Sequence, residues 1–519
     1  MTLLINKICN KFNLETNINK ISVIDIIIFT LNYNKINKIM INHTSISNTE
    51  KYITKLFSSS IEFKKQVLSE NYFNNLLSYI YLIIGNPYSI DTIYFNAIYE
   101  NYELLEKVPA YIIYNYDIIM NDTQLYKFYN SYLVQKWINT IMQKPVTKNN
   151  YYNVSKLNDK QKKIKWIKYK YIWKKYNNIC LIVKKYLLTV NDFYLTENIK
   201  VVGCYNVDSQ LYSHCLKSHT GLDLNIVKLE KWALNKLNEL TDNLTNTLKK
   251  INPDIKTFKN PIKVLHGMSI DQLFKSKKEY IDYHRDAMNK YEDIFINKFN
   301  YPNYEKSNLI LFEDKNLGLA HYNENNFYLN CYYWKTAHKY RVESLVLHET
   351  IPGHHTQVHV SKYINSNENV LLSYFPSVCN AFVEGYALFC EKLGVDQTNW
   401  DKTGQINFEI LRTLRVIVDI RIHHKGYTPT KIINYMKKYV SFDINDITNE
   451  VYRYVCYPGQ AVSYAIGSQF FKKVIEKKNI SNLHCPKAIK IYKKIILSGP
   501  KPLQFLLDEY NLTIDELFE

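Results

Sequence analysis

The residues best suited to chemistry form one run, His348-Glu349-Thr350-Ile351-Pro352-Gly353-His354-His355. A histidine followed by glutamate on a helix, with another histidine soon after, is half of a zinc hydrolase site. In the common spacing the two histidines sit at i and i+4, face one way and share a zinc, while the glutamate takes a proton from the attacking water. Here the next histidines are at i+6 and i+7. On an undistorted helix i+6 is rotated by about 240°, and i+7 faces the right way but lies about 10 Å further along. Both rings can meet one ion only if the helix is deformed between them. Pro352 and Gly353 fall there, one breaking the hydrogen-bond ladder and the other tolerating unusual dihedrals. A two-residue bulge would return His354 to the angular place of i+4. The expected ligands on this run are therefore His348 and His354, with His355 as the alternative and Glu349 as the base. A helix that simply ends at Pro-Gly, with solvated histidines, is the bland reading.

A third ligand must come from elsewhere. Ala381 to Glu391 reads as a mostly apolar helix with Phe382, Tyr386, Phe389 and Leu393 in a core stripe of period 3.6. Glu384 and Glu391 interrupt it at i and i+7. A carboxylate on such a helix must be paired or bind a metal, because burying it alone is costly. Glu384 is the expected ligand. Glu391 is expected on an exposed helix face.

These segments carry a resemblance. His348 to Gln357 matches H-E-x-x-P-G-H-H-x-Q, the signature of a large, mostly bacterial family of uncharacterised gluzincin-like proteins, a domain of unknown function. Three further segments of that family are similar here. E-G-W-A-L-Y-x-E is matched at Glu384 to Glu391, with Tyr386 for Trp and Phe389 for Tyr. R-x-V-x-D-x-G-x-H-x-K-G-W is matched at Arg415 to Tyr427, with Ile417 for Val, Tyr427 for Trp and Arg421 where the family usually has Gly. E-V-x-R-Y-x-x-x-P-G-Q-A-x-x-Y-x-x-G is matched at Glu450 to Gly467. The resemblance runs from about residue 220 to the C-terminus. It implies a zinc metallopeptidase with one zinc ion on His348, His354 and Glu384. The departure at Arg421 is expected to alter the site wall without losing a ligand.

Water attack on a peptide carbonyl creates an oxyanion, and a donor from His, Tyr or Arg usually shares its stabilisation. His423, Tyr464 and Arg453 are the candidates, Arg453 also being suited to hold a substrate carboxylate bidentately. Each could instead make a structural hydrogen bond in a polar core. Asp419 is placed to orient a ligand histidine.

The elements around these motifs read as helices. Leu224 to Ile251 is a long amphipathic stretch and Ile270 to Asn300 is helical again, whereas Leu309 to Phe312 and Phe327 to Tyr333 are strand-like. The expected fold is mainly α-helical with a small β-sheet, two-lobed in the manner of gluzincin oligopeptidases, with a deep cleft. Tyr328 to Cys331 is a candidate edge for pairing with an extended peptide. Residues 1–220 form an N-terminal helical region and 221–519 the catalytic region. In the former, Val146 to Asn158 reads as a connection, Asn198 to Asp223 as loop with a short strand at Lys200 to Val202. Lys160 to Leu188 is a basic helix whose aromatics are expected to be buried rather than offered to nucleic acid.

The 519 residues are 46% hydrophobic and 22% charged, as in an ordinary folded protein, and too many for one simple core. Richness in Asn, Ile, Lys and Tyr reflects AT-rich codons more than function. The net charge of +18 is spread along the chain and reads as solvated surface. Nine cysteines with no C-x-x-C pair suit free thiols in a reducing compartment. Cys204, His214, Cys215 and His219 match no compact zinc finger. Met1 to Glu15 has no signal-peptide pattern, and the longest apolar runs, Val23 to Leu31 and Tyr79 to Gly85, are too short to span a bilayer. An intracellular enzyme acting on peptides or oligopeptides is expected, with neither membrane nor nucleic acid as partner. The alternatives are a metal-dependent amide hydrolase with a non-peptide substrate, and a non-catalytic basic binding protein that keeps the fold.

Overall fold

The computed structural model describes residues 145–196, 211–254, 260–314, 318–323, 325–361, 380–497 and 499–519, with short pieces between 84 and 99. Most of residues 1–145, the strand expected at Lys200 to Val202, and Cys204 lie outside the described residues. The protein is mainly helical with one three-stranded sheet. It divides into two compact units, Met1–His214 and Cys215–Glu519.

In the first unit, helix α1 (Asp159–Thr196) carries the basic, aromatic stretch. Trp166, Tyr169, Trp173 and Tyr176 recur at three- and four-residue spacing, so their rings line one face at 5.0–6.2 Å between centroids, the first three stacked and Tyr176 tilted. Tyr169 and Tyr176 are buried. The stretch before it, expected as a connection, contains a short helix, Lys148–Val154, started by the Thr147 side chain accepting from Asn150 N–H. Loop was also expected where Leu211–Thr220 is helical. In both places polar side chains hid a helix that tertiary packing stabilises.

In the second unit, α2 (Ile226–Ile251) is capped by Asn225 and buries Leu229, Leu237, Leu240, Leu244 and Leu248, a 3.6-residue stripe worth about 1.5–3 kcal/mol per leucine. α3 (Lys277–Phe299) follows, capped by Ser276. Three strands come next: β1 (Asn308–Phe312), β2 (Ala320–Asn323) and β3 (Asn326–Asn330). Their order is β1-β3-β2, with β1 parallel and β2 antiparallel to β3. This corrects the expectation for Tyr328 to Cys331. Tyr328 pairs with Ile310 on one side and His321 on the other, and Cys331 already begins a 3-10 turn. That segment has no edge to offer a peptide, because the four-residue strand β2 covers it.

The site helices complete the unit: α4 (Val342–Glu349), α5 (His354–Ser361), α6 (Asn380–Cys390), α7 (Asn399–His423), α8 (Ile444–Cys456) and α9 (Ser463–Lys477). α2 packs along α7, and α6 crosses α9 with glycine facing glycine. A Cβ on Gly385 would lie 2.7 Å from Ser468 N and closer still to Gly467, so the backbones touch there. That crossing fixes Glu384 beside the first turn of α9. No helix among the described residues is long and apolar enough to cross a membrane.

Candidate metal centre

α4 ends where its sequence requires. Thr350 leaves helical geometry at φ −103°, ψ −135°, while its N–H still donates to Val346 O at 2.9 Å and its hydroxyl to the same carbonyl at 2.7 Å. The chain turns through Ile351, Pro352 and Gly353, and α5 starts at His354. A Cβ on Gly353 would lie 2.5 Å from Leu347 O and nearer still to His348 O, so no other residue fits without opening the turn. The deformation brings the rings of His348 and His354 to 4.9 Å between centroids and 89° between planes.

The Nε2 atoms of both rings face Glu384 of α6, at 3.7 Å for His348 and 3.5 Å for His354 from the same carboxylate oxygen. Donor atoms of the three residues lie within 4.8 Å of one another, and this is the one such group among the described residues. His355 points elsewhere. Its Nε2 donates to Glu305 O at 2.8 Å, its Nδ1 accepts from Tyr322 OH at 2.9 Å, and its ring stacks on Tyr304.

The far nitrogens decide what the cluster suits. His348 Nδ1 donates to Glu391 Oε1 at 2.9 Å, and His354 Nδ1 donates to Gln357 Oε1 at 3.0 Å. Gln357 is held in turn by donating to Val383 O at 3.1 Å, next to Glu384. With each Nδ1 proton so placed, two Nε2 lone pairs face a carboxylate, an arrangement that needs protons or a cation between them. Burial works against protonating His348, but Glu384, Glu391 and Glu349 outweigh it and push its pKa up to about 9. His354 is likewise opposed by burial and raised by Glu384. Burial would raise Glu384, yet the two imidazoles hold it well below the usual carboxylate range. A divalent ion can replace those two protons. Tetrahedral donors about 2.0–2.2 Å from zinc stand roughly 3.3–3.6 Å apart. The two histidine–Glu384 separations already lie close to this, and the three donors together, within 4.8 Å of one another, would draw in around an ion.

Glu391 corrects the sequence reading. It is 1% exposed, not on a solvated face, and it orients His348, with Arg412 Nη2 at 3.5 Å from the same oxygen. Asp419, expected in that role, is instead fully buried and accepts from Gly459 N–H at 2.8 Å. His423 is also buried, its Nε2 donating to Tyr454 O at 2.9 Å, and burial lowers its pKa to about 4. It serves the packing of α7 on α8 and is not brought to the cluster. Arg421 pairs with Glu230 at 3.5 Å and lies over the Tyr435 ring, so the departure falls at a helix contact and not in the site wall.

Glu349 follows His348 directly and is 8% exposed. Its charge acts on His348, His354 and His321. His321 on β2 was missed in the sequence, because a four-residue strand between loops has no periodicity to find. Its ring stacks on Tyr328 at 4.8 Å, and although its edge meets solvent, crowding lowers its pKa against the pull of Glu349. Tyr464, in the first turn of α9, feels burial first and then the charge of Glu384, both raising its pKa. The guanidinium of Arg415 lies 4.6 Å over its ring. Arg453 Nη1 donates to Gln460 Oε1 at 2.6 Å and its Nη2 to Glu450 Oε2 at 3.1 Å. Cys215 and His219 are buried, and His219 Nδ1 accepts from Asn380 Nδ2 at 2.9 Å, so His219 serves that contact.

Fold and site together define a mainly helical protein whose adjacent helices carry a two-histidine, one-glutamate cluster. The chain belongs to the family described as "Bacterial protein of unknown function (DUF885)", which matches residues 188–481, more than half its length. No curated protein matches it. Among solved structures it is similar to a "putative lipoprotein" from Colwellia psychrerythraea, with a TM-score of 0.62 and 18% identity over 81% of this chain and 76% of that one. It is also similar to a "putative lipoprotein of unknown function" from Shewanella oneidensis, with a TM-score of 0.61 and 14% identity over 98% of each chain. At these identities the likeness is one of fold.

Proposed function

We propose that the protein is a zinc-dependent peptidase. The observation that carries this reading is the convergence of His348 Nε2, His354 Nε2 and Glu384 with both far ring nitrogens already held by acceptors. Zinc held by these three residues would supply Lewis acidity to the scissile carbonyl and make water a stronger acid. Glu349 takes the proton of the attacking water and passes it to the leaving amine. The Tyr464 phenol, within reach of the Glu384 charge, donates to the oxyanion that develops on the carbonyl. Glu391 and Gln357 keep the two imidazoles in the tautomer that presents Nε2.

For location, the described cysteines are free thiols, four of them buried, which supports an intracellular setting. The description of the two structurally similar proteins as "putative lipoprotein" favours a lipid-anchored one. Fractionation of the source cells separates the two.

The test of function is a mixed peptide library read by mass spectrometry with zinc-loaded protein and its Glu349→Gln variant. Cleavage by the wild type and at least about 100-fold slower cleavage by the variant are expected. Equal rates with zinc bound would remove Glu349 as the base and the mechanism with it.

A further inference from the structure

Next to Tyr464 lies a charge cluster that does not balance. Arg415 of α7 and Arg453 of α8 lean on a single carboxylate, Glu450. Arg415 Nη2 donates to Glu450 Oε2 at 2.8 Å, and Arg453 donates to the same group through Nη2 at 3.1 Å and Nε at 3.2 Å. Tyr454 OH donates to it as well, at 2.5 Å. Burial would raise the Glu450 carboxyl, but the two guanidiniums hold it far below the usual range, so it is charged. Among the described residues neither arginine has a second carboxylate partner. Two positive charges therefore share one negative charge. Arg415 is 7% exposed, and its Nη1 has no hydrogen-bond acceptor. Leaving a charge buried and uncompensated is costly, so an arrangement of this kind suits a place where an anion completes it.

Its position says which anion. Arg415 lies over the Tyr464 ring, and the charge of Glu384 in the metal cluster reaches Tyr464. Arg415 is buried, whereas the Arg453 side chain is 23% exposed and so reaches solvent. Nη1 and Nη2 of Arg453 each keep a second N–H beyond those spent on Gln460 and Glu450, and a planar fork of this kind matches a carboxylate. We propose that Arg453 and Arg415 form a subsite for the free terminal carboxylate of a peptide whose scissile bond lies at the His348, His354 and Glu384 cluster. The enzyme then removes residues from the C-terminal end of its substrate. This rests on the peptidase reading and narrows it to peptides with a free carboxyl terminus.

The test compares one hexapeptide as its free acid and as its C-terminal amide. Binding is measured by calorimetry on the zinc-loaded Glu349→Gln protein, and turnover on the zinc-loaded wild type. The acid should bind at least about tenfold tighter and be cleaved with at least about tenfold higher kcat/KM, the usual scale for a charge-assisted pair. Arg453→Gln should erase the preference and Arg453→Lys should restore part of it. Acid preference in binding without any cleavage would keep the subsite and overturn the peptidase reading. Equal binding and cleavage of acid and amide would do the reverse. Failure of both peptides to bind overturns both, and inorganic phosphate that competes as well as the acid peptide overturns the choice of carboxylate.

Discussion

Glu391→Gln tests whether the carboxylate behind His348 positions that ring or is merely buried. The side chain is 1% exposed, accepts from His348 Nδ1 at 2.9 Å and lies 3.5 Å from Arg412 Nη2. Glutamine keeps the shape and an acceptor for His348 but removes the charge. His348 then loses a charge-assisted partner, an effect of about 10- to 100-fold on metal affinity. Arg412 loses more. It is 7% exposed, its Nε and Nη1 already lack acceptors, and Glu391 is its one carboxylate neighbour among the described residues. Breaking a buried pair costs about 3–5 kcal/mol. The 3.5 Å separation is an ion-pair contact rather than a short hydrogen bond, which puts the cost near the lower end, about 3 kcal/mol. Zinc affinity is read by competition with a chromophoric chelator, and stability by urea denaturation of the metal-free protein. With an m-value of about 3 kcal/mol/M the midpoint should fall by roughly 1 M. A variant with wild-type zinc affinity and a wild-type midpoint refutes the reasoning.

Three further outcomes are expected. Gly353→Ala should lower zinc affinity at least about tenfold and reduce the melting temperature, because the added methyl meets the carbonyls of Leu347 and His348; a wild-type variant would show that the turn yields freely. His354→Ala should abolish zinc binding while His355→Ala keeps it and loses about 1–3 kcal/mol of stability from its contacts with Glu305 and Tyr322, and the opposite pattern in a metal assay would reverse the ligand assignment. His284 and His423 are buried neutral with pKa values lowered to about 4 by burial, so between about pH 6.5 and 4 the unfolded chain binds protons that the folded one does not. Stability should therefore fall as pH falls through that window, by roughly 1.4 kcal/mol per pH unit for each histidine, and an unchanged slope in His423→Gln urea titrations from pH 6.5 to 4.5 would contradict this.

The sequence carried the helical character of the chain because its apolar residues recur every three or four positions, as in α2. It also pointed to a break at Pro352 and Gly353, since six-residue spacing is incompatible with one helix. Which residues stand behind the site was not legible in the same way. Glu391 reads as an exposed carboxylate at i+7 from Glu384, and only the packing of Arg412 and His348 against it reveals a buried one. His423 and Asp419 sit in a matched motif, yet the facing helix gives them the Tyr454 carbonyl and the Gly459 amide as partners. β2 is too short to show alternation, so the sheet order, and with it the covered flank of Tyr328, had no signal in the chain.

The central claim is that His348, His354 and Glu384 share one zinc ion. Metal analysis of protein reconstituted with zinc and passed through a desalting column tests it directly. One zinc per chain is expected for the wild type and for Glu349→Gln, and none for His348→Ala, His354→Ala or Glu384→Ala that remain folded by circular dichroism. A folded wild type that retains no zinc, or a folded His354→Ala or Glu384→Ala variant that retains one equivalent, would contradict the account.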